Sequence, residues 1–312
     1  MGNIAGMPLE LRERAALVAL LQRPGAKWGE VALSVLERGS AVAVLAEAMR
    51  VQEALFAEAD PMESAIEEAG RALAEWEAAG IGVHTCLDER YPSRLRSIHQ
   101  MPPILFSRGR LAADQRAIAV VGTRQASDNG LRIASAVARE LALNDVTVVS
   151  GLAKGIDTAA HCAALEAGGR TVAVIGTGIN KFYPAQNRAL QERIARDGLL
   201  ISQFWPDTPP NQRNFPMRNA VMSGYAAATV VVEAPWKSGA RIQARLALEH
   251  GRPVVMPDQL LEHDWAREYA EKPGVHVVSG LRELLAVVEQ LIAELNAGPD
   301  SLPEISALVW SS

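Results

Sequence analysis

The chain has 312 residues, room for about two domains at roughly 150 residues each. A hydrophobic share of 49% and a charged share of 21% suit a folded chain with a real core and exclude a mostly disordered one. Cys86 and Cys162, the only cysteines, stand too far apart in sequence for a disulfide framework or a Cys-rich zinc site. The net charge of −5 argues globally against a nucleic-acid binder, but it is unevenly spread: residues 115–260 hold 16 Lys+Arg against 11 Asp+Glu, and the remainder holds 15 against 25. A weakly basic middle between acidic flanks can attract an anionic partner. There is no run of about 18 apolar residues, and Met1 to Glu10 lacks a basic stretch followed by an apolar one, so the expectation is a cytoplasmic chain with neither membrane span nor secretory signal.

Up to about Gly80 the chain reads as helices. Leu11, Ala15, Val18 and Leu21 fall at three-to-four spacing, Val31, Val35 and Leu45 follow with small offsets, and Arg23-Pro24-Gly25 punctuates between them. A further amphipathic helix runs from Glu63 to Ala79, with Ile66, Leu73 and Trp76 on one side. Ile81 to Cys86 reads as a short strand, and Tyr91-Pro92 with Met101-Pro102-Pro103 as an extended connection. The division expected is a small helical domain at 1–90, a connecting segment at 91–115, an α/β domain at 116–290 and a tail at 291–312.

From Ala117 the pattern changes. Short apolar runs, Ala117–Val121, Val146–Ser150, Thr171–Ile175, Leu199–Ser202, Thr229–Glu233, Pro253–Met256 and Val275–Val278, have the near-continuous hydrophobicity of buried parallel strands. Helical patterns fill most of the gaps, at Gly130–Leu143, Thr158–Ala167, Asn187–Arg196, Ala240–His250 and Leu281–Asn296. Such alternation predicts an α/β fold with a doubly wound, mostly parallel sheet.

In such a sheet ligands gather outside the carboxyl ends of the strands. There the sequence places Gly122, Thr123, Arg124 and Ser127, then Ser150, Gly151, Lys154 and Gly155, then Gly176 and Gly178, and finally Ser238 and Gly239 at the start of a helix. A lone glycine turn only permits a tight bend. Four such turns on one rim, joined by Arg124, Lys154, Arg218 and Lys237, predict an anion site in which backbone amides, helix starts and cations converge. The loop from Gln203 to Phe215 carries Phe204, Trp205, three prolines and Arg213, and runs into Phe215-Pro216-Met217-Arg218-Asn219. So many aromatic and basic residues serve either as a lid, as a base-stacking surface, or as a latch onto the loop's own domain.

Several enzyme classes lack their motifs. There is no G-x-G-x-x-G spacing after Val121, no G-x-x-x-x-G-K-[ST] and no G-x-S-x-G, which removes the dehydrogenase, P-loop NTPase and nucleophile-elbow readings. His161 reads as a capping or core histidine ahead of a catalytic one, and Asp157 as the cap of the helix starting at Thr158, with a polar contact to ligand as its alternative. The remaining histidines show no ligand spacing, so no catalytic, metal or cofactor site is expected.

Ile118-Ala119-Val120-Val121-Gly122-Thr123-Arg124 with Ser127 and Gly130 resembles the opening motif of the DNA-processing protein A family, also called Smf. Ser150-Gly151-Leu152-Ala153-Lys154-Gly155-Ile156-Asp157 with Ala160-His161 resembles its most specific signature. Further matches are Thr171 to Gly178, Tyr183-Pro184 with Asn187, Phe215-Pro216 with Arg218-Asn219, and Val232-Glu233-Ala234 with Ser238-Gly239. Tyr91-Pro92, Leu95, Pro102-Pro103 and Gly109 look like the family's joining segment, and the likeness covers about residues 80 to 257.

The resemblance implies an extended Rossmann-like domain after a small helical, SAM-like one. It implies a homodimer that binds single-stranded DNA, protects it during natural transformation and recombination, and loads the RecA recombinase, without catalysis. The phosphate and base contacts would fall to the rim residues above together with Arg213, Phe215, Asn219 and Arg241. Departures cluster late: Ala220 stands where an arginine is usual, Gln203 where a glutamate is, and Arg241 where an apolar residue is. Pro257-Asp258 replaces Pro-Gly ahead of the acidic stretch Glu262 to Glu268, and the usual C-terminal winged-helix extension is expected to be missing. These departures leave a small-nucleotide sensor, or a divergent paralogue of the same fold superfamily, as the alternative expectation.

Overall fold

The structure, a computed structural model, describes residues 7–50 and 61–297. It opens with four helices, α1 (Leu9–Gln22), α2 (Trp28–Arg38), α3 (Ala41–Arg50) and α4 (Pro61–Ala78). Every residue from Ala15 to Leu21 is buried, so α1 is apolar all round at that level and the other three pack against it. The Glu13 carboxylate of α1 accepts from the Ala41 and Val42 amides at 2.6 and 3.1 Å. It thereby caps α3 from a neighbouring helix, at amides that have no partner within their own.

The remainder alternates strand and helix as the sequence predicts. In chain order it runs β1 (Gly82–Thr85), β2 (Ile104–Gly109), β3 (Ala117–Gly122), α5 (Asp128–Leu143), β4 (Thr147–Ser150), α6 (Ile156–Glu166), β5 (Thr171–Val174), α7 (Arg188–Asp197) and β6 (Leu199–Ser202). It continues with α8 (Asn214–Tyr225), β7 (Ala228–Glu233), α9 (Gly239–Glu249), β8 (Val254–Pro257), α10 (Asp264–Ala270), β9 (Val275–Val278) and α11 (Leu281–Ala297). Among the described residues, nine strands form one sheet in the order β1-β2-β6-β5-β4-β3-β7-β8-β9. From β6 to β9 the neighbours are parallel, and β1 and β2 add an antiparallel edge. The fold is the expected α/β, Rossmann-like, mostly parallel sheet behind a set of helices.

Three elements differ from the sequence reading. Segment 91–115, expected as a connection, contains β2, whose first four residues are buried and which pairs with both β1 and β6. Pro102 and Pro103 stand just before the strand, where a missing N–H costs no ladder bond, and they disguise it. The sheet therefore reaches back to Gly82, in the short strand expected at Ile81 to Cys86 and inside the span 1–90 assigned to the helical domain. Phe215, expected as the end of a loop, and the Pro216 to Asn219 run after it, for which no helix was expected, lie in the opening turns of α8. Pro216 is tolerated there because first-turn amides need no partner within the helix. Asp258–Glu262 forms a 3-10 turn, and most of the acidic stretch Glu262 to Glu268 lies in α10.

Residues of β3 show how the sheet is covered. Ala117, Ala119 and Val121 join one apolar cluster and Ile118 and Val120 the other, as alternation across a strand requires. The first cluster runs on into α8, α9 and the N-terminal helices, and the second into α5, α6 and α11. An aromatic seam closes the join to the helices: Trp205, in the loop after β6, lies 5.1 Å from Trp28 and 5.7 Å from both Trp76 and Phe106 between ring centroids. Trp205 is thus committed to holding the loop on the N-terminal helices, which removes it as a base-stacking surface. Phe204 is buried as well.

Candidate functional site

Strand order reverses chain direction between β3 and β7, and a crevice opens outside their carboxyl ends. Two adjoining hollows, the second the larger, occupy it and share Arg124, Ala153, Phe215 and Arg218 in their linings. The smaller adds Gly151, Lys154, Gly176 and Tyr183. The larger adds Gly122, Thr123, Asn219, Lys237, Ser238, Gly239 and Ile242. Twelve of the residues expected at the site therefore come together. Ser127, Ser150, Gly155, Gly178, Arg213 and Arg241 do not line either hollow.

The turns were expected to offer their amides to an anion, but two carboxylates of the chain itself already take several of them. Glu233, at the end of β7, accepts from the Ser127 amide at 3.1 Å and from its hydroxyl at 2.9 Å, and so sits at the start of α5. Ser127 meanwhile caps α5 by accepting from the Gly130 amide at 3.0 Å. Asp157 accepts from the Gly151 and Ala153 amides at 3.1 and 3.3 Å, tying back the loop before α6 rather than capping the helix as expected. The Gly178 amide donates to the Thr208 carbonyl at 2.8 Å, and the buried Ser150 hydroxyl to the Val120 carbonyl at 2.7 Å. Gly155, at φ +77°, is needed for its backbone: an added Cβ would stand 2.5 Å from the Thr123 carbonyl oxygen. The start of α5 and the loop before α6 are thus satisfied from within, and there the cations are the groups that can meet an outside anion.

Arg218 is not one of the open cations. Its side chain is buried, donating through Nη1 to the Gly151 and Val174 carbonyls and through Nε to Asn219 Oδ1 at 3.1 Å. Burial pushes its pKa down, while the nearby Asp157 carboxylate pulls it up. Burial likewise drives the Asp157 carboxyl upward, opposed first by Arg218 and then by its hydrogen bonds. Gly151 is required by this packing, since a Cβ would fall 1.8 Å from Arg218 Nη1. Arg218 therefore builds the floor between the hollows. Arg124, Lys154 and Lys237 stand exposed around them.

Aromatic rings alternate with these cations. The Arg124 guanidinium lies 5.2 Å from the Phe215 centroid, and Phe215 lies 5.5 Å from Tyr183. Phe215 also explains Gly176, where a Cβ would come within 2.8 Å of its ring. Arg213 is exposed on the loop ahead of α8, outside both linings. Arg241 is held between two indoles, 3.8 Å from the Trp236 centroid and 5.7 Å from that of Trp265. Tyr183, 38% exposed on the rim, was legible only as part of the family pattern, and Trp236, 60% exposed beside Lys237, gave no signal beyond being an aromatic residue next to a lysine.

His161 belongs to the core. Its Nδ1 lies 2.7 Å from the Thr171 hydroxyl, and burial holds the imidazole at about 3 against the ordinary 6.5. A histidine kept neutral in the fold binds its proton only in the unfolded chain between those values, so its contribution is fully present above pH 6.5 and declines as pH falls toward 3. Substitution His161→Gln is expected to flatten that part of the acid limb in a Tm-versus-pH series. An unchanged slope would show that the imidazole protonates in place. Among the described residues no group of three or more His, Cys, Asp or Glu is placed to hold a metal ion, and no helix is long and apolar enough to cross a membrane.

The family model described as DNA recombination-mediator protein A matches residues 82–287. The chain belongs to this family. The match begins at the first residue of β1 and takes in both hollows, so the antiparallel edge is part of the family unit. DNA processing protein DprA of Streptococcus pneumoniae is 43% identical over 207 residues, 65% of this chain and 73% of that protein. Protein Smf of Synechocystis is 38% identical over 221 residues, 68% of this chain, and the match spans about half of the relative, 53%. Two solved structures resemble the fold. The X-ray structure of DprA from Streptococcus pneumoniae aligns with a TM-score of 0.64 at 31% identity, covering 89% of this chain and 95% of that one. DNA processing protein A from Helicobacter pylori, described for its single-stranded DNA binding mode, aligns with a TM-score of 0.60 at 26% identity, covering 67% and 96%. Ala220, where the resemblance led us to expect an arginine, is 2% exposed on α8 and outside both linings. Gln203 is buried behind the loop.

Proposed function

We propose that the chain binds single-stranded DNA across the two hollows, as a binding protein of DNA processing and recombination with no catalytic step. The observation that carries this reading is the ring of exposed Arg124, Lys154 and Lys237 around Phe215 and Tyr183, because single strands are held by cations on the backbone and aromatic faces under the bases. Gly122, Thr123, Gly151, Gly176, Asn219, Ser238 and Gly239 shape the walls. Membership of the recombination-mediator family supports delivery of the bound strand to the RecA recombinase, and the sequence resemblance supports a homodimer. A role without catalysis is supported by the state of the usual catalytic side chains: Ser150, Asp157 and His161 are all buried and engaged within the fold.

The test is fluorescence anisotropy with a labelled oligo-dT and with small adenine nucleotides at two salt concentrations. Expected is oligonucleotide binding that weakens steeply with salt, since each phosphate contact releases counterions. Nucleotide binding with no oligonucleotide signal would replace this reading with that of a small-nucleotide sensor. RecA delivery is checked by whether the chain speeds RecA filament formation on protein-coated single strands, and the dimer by sedimentation.

A further inference from the structure

Trp236 follows β7 and is not itself in the lining of the larger hollow, but the next residues, Lys237 and Ser238, line it. It is 60% exposed, so part of a large aromatic surface is open to a partner. One of its faces is already occupied. The Arg241 guanidinium lies 3.8 Å from the ring centroid, and Arg241 Nη1 donates to the Trp236 carbonyl at 2.7 Å. Trp265 approaches that guanidinium at 5.7 Å. It is 1% exposed, its Nε1 donates to the Ala234 carbonyl at 2.9 Å, and its ring meets Tyr269 edge-on at 5.5 Å. A buried indole thus supports a cation, and the cation supports an exposed indole.

We infer that Trp236 is a preformed stacking platform for an unpaired nucleobase of the strand held in the hollow, with Lys237 taking the adjoining phosphate. This inference rests on the proposed single-stranded DNA binding and assigns to it a contact outside the Arg124, Phe215 and Tyr183 group. Three features argue for a base as the occupant. The surface offered is one flat aromatic face, it stands next in the chain to residues that line a basic hollow, and its immediate neighbour is an exposed lysine suited to a phosphate. The stack beneath also fixes the indole before binding, so little side-chain freedom is left to lose when a base arrives. The same unit gives Arg241 and the α10 segment a common role: Arg241 supports the platform instead of reaching for phosphate, and α10 supplies the buried floor through Trp265.

The experiment compares the full chain with its Trp236→Ala and Trp236→Phe variants on two labelled oligonucleotides of equal length, one oligo-dT and one made of abasic residues. Trp236→Ala is expected to weaken oligo-dT binding by about 5- to 100-fold. It should leave the abasic strand's affinity unchanged, so that the preference for bases shrinks, and Trp236→Phe should restore most of it. Equal loss on both strands, or no loss on either, overturns the platform while leaving strand binding intact. A wild-type chain that binds neither strand overturns the functional reading and the platform with it. Melting curves of both variants at the wild-type Tm show that the differences arise at the surface.

Discussion

Arg218→Ala is expected to lower the stability of the chain by about 3–5 kcal/mol, because removal of one buried charged partner leaves the others uncompensated. The Gly151 and Val174 carbonyls would each lose a donor, and Asp157 would lose the charge that offsets its burial. For a chain of this size the loss corresponds to roughly 6 to 20 °C in Tm, read by circular dichroism. Arg218→Lys should recover little, since an ammonium cannot span several acceptors as the planar guanidinium does. Gly151→Ala should reproduce much of the defect from the opposite side, by displacing the guanidinium with a Cβ 1.8 Å from Nη1. A variant Arg218→Ala with an unchanged Tm and lost oligonucleotide binding would return Arg218 to the phosphate ligands.

The exposed cations should behave in the opposite manner. Arg124, Lys154 and Lys237 make no ion pair among those described, so their removal should leave the Tm nearly intact. The triple variant Arg124→Ala, Lys154→Ala, Lys237→Ala is expected to bind oligo-dT roughly 100-fold more weakly at about 0.1 M salt. It should also reduce the slope of log K against log salt by about 2, at about 0.7 per phosphate contact on a single strand. The loss should be similar for any sequence, because backbone contacts carry no base information. A triple variant with the wild-type salt slope would remove these three residues from the strand's path and end the proposal that the hollows hold it. Measured together, the two sets of variants separate the floor of the site from its rim.

Much of this arrangement was legible from residue pattern. Apolar runs such as Val148–Ser150 and Val230–Val232 are buried on both faces, so their hydrophobicity is near-continuous and their positions stand out. The rim turns at Gly122, Gly151, Gly176 and Gly239 follow from them, since a parallel sheet puts its loops at one end. The misreadings have physical causes. β2 is an edge-side strand announced by two prolines, a pattern shared with any extended connection. α8 opens with Asn214, Phe215 and Pro216, and asparagine and proline mark a turn as readily as a helix start.

Residue types and their order along the chain therefore determined the layers of the fold, the end of the sheet where a partner meets it and the family to which the chain belongs. The division of labour among the charged residues depended on three-dimensional placement alone. Arg124, Arg218 and Arg241 carry the same guanidinium, yet one is exposed on the rim, one is buried under carbonyls and one lies between indoles. The same holds for the turn amides, which Glu233 and Asp157 reach from 106 and 6 residues away in sequence. Desolvation and hydrogen bonding act between groups that folding brings together, so whether a charge faces water, a carbonyl or a ring is decided by packing.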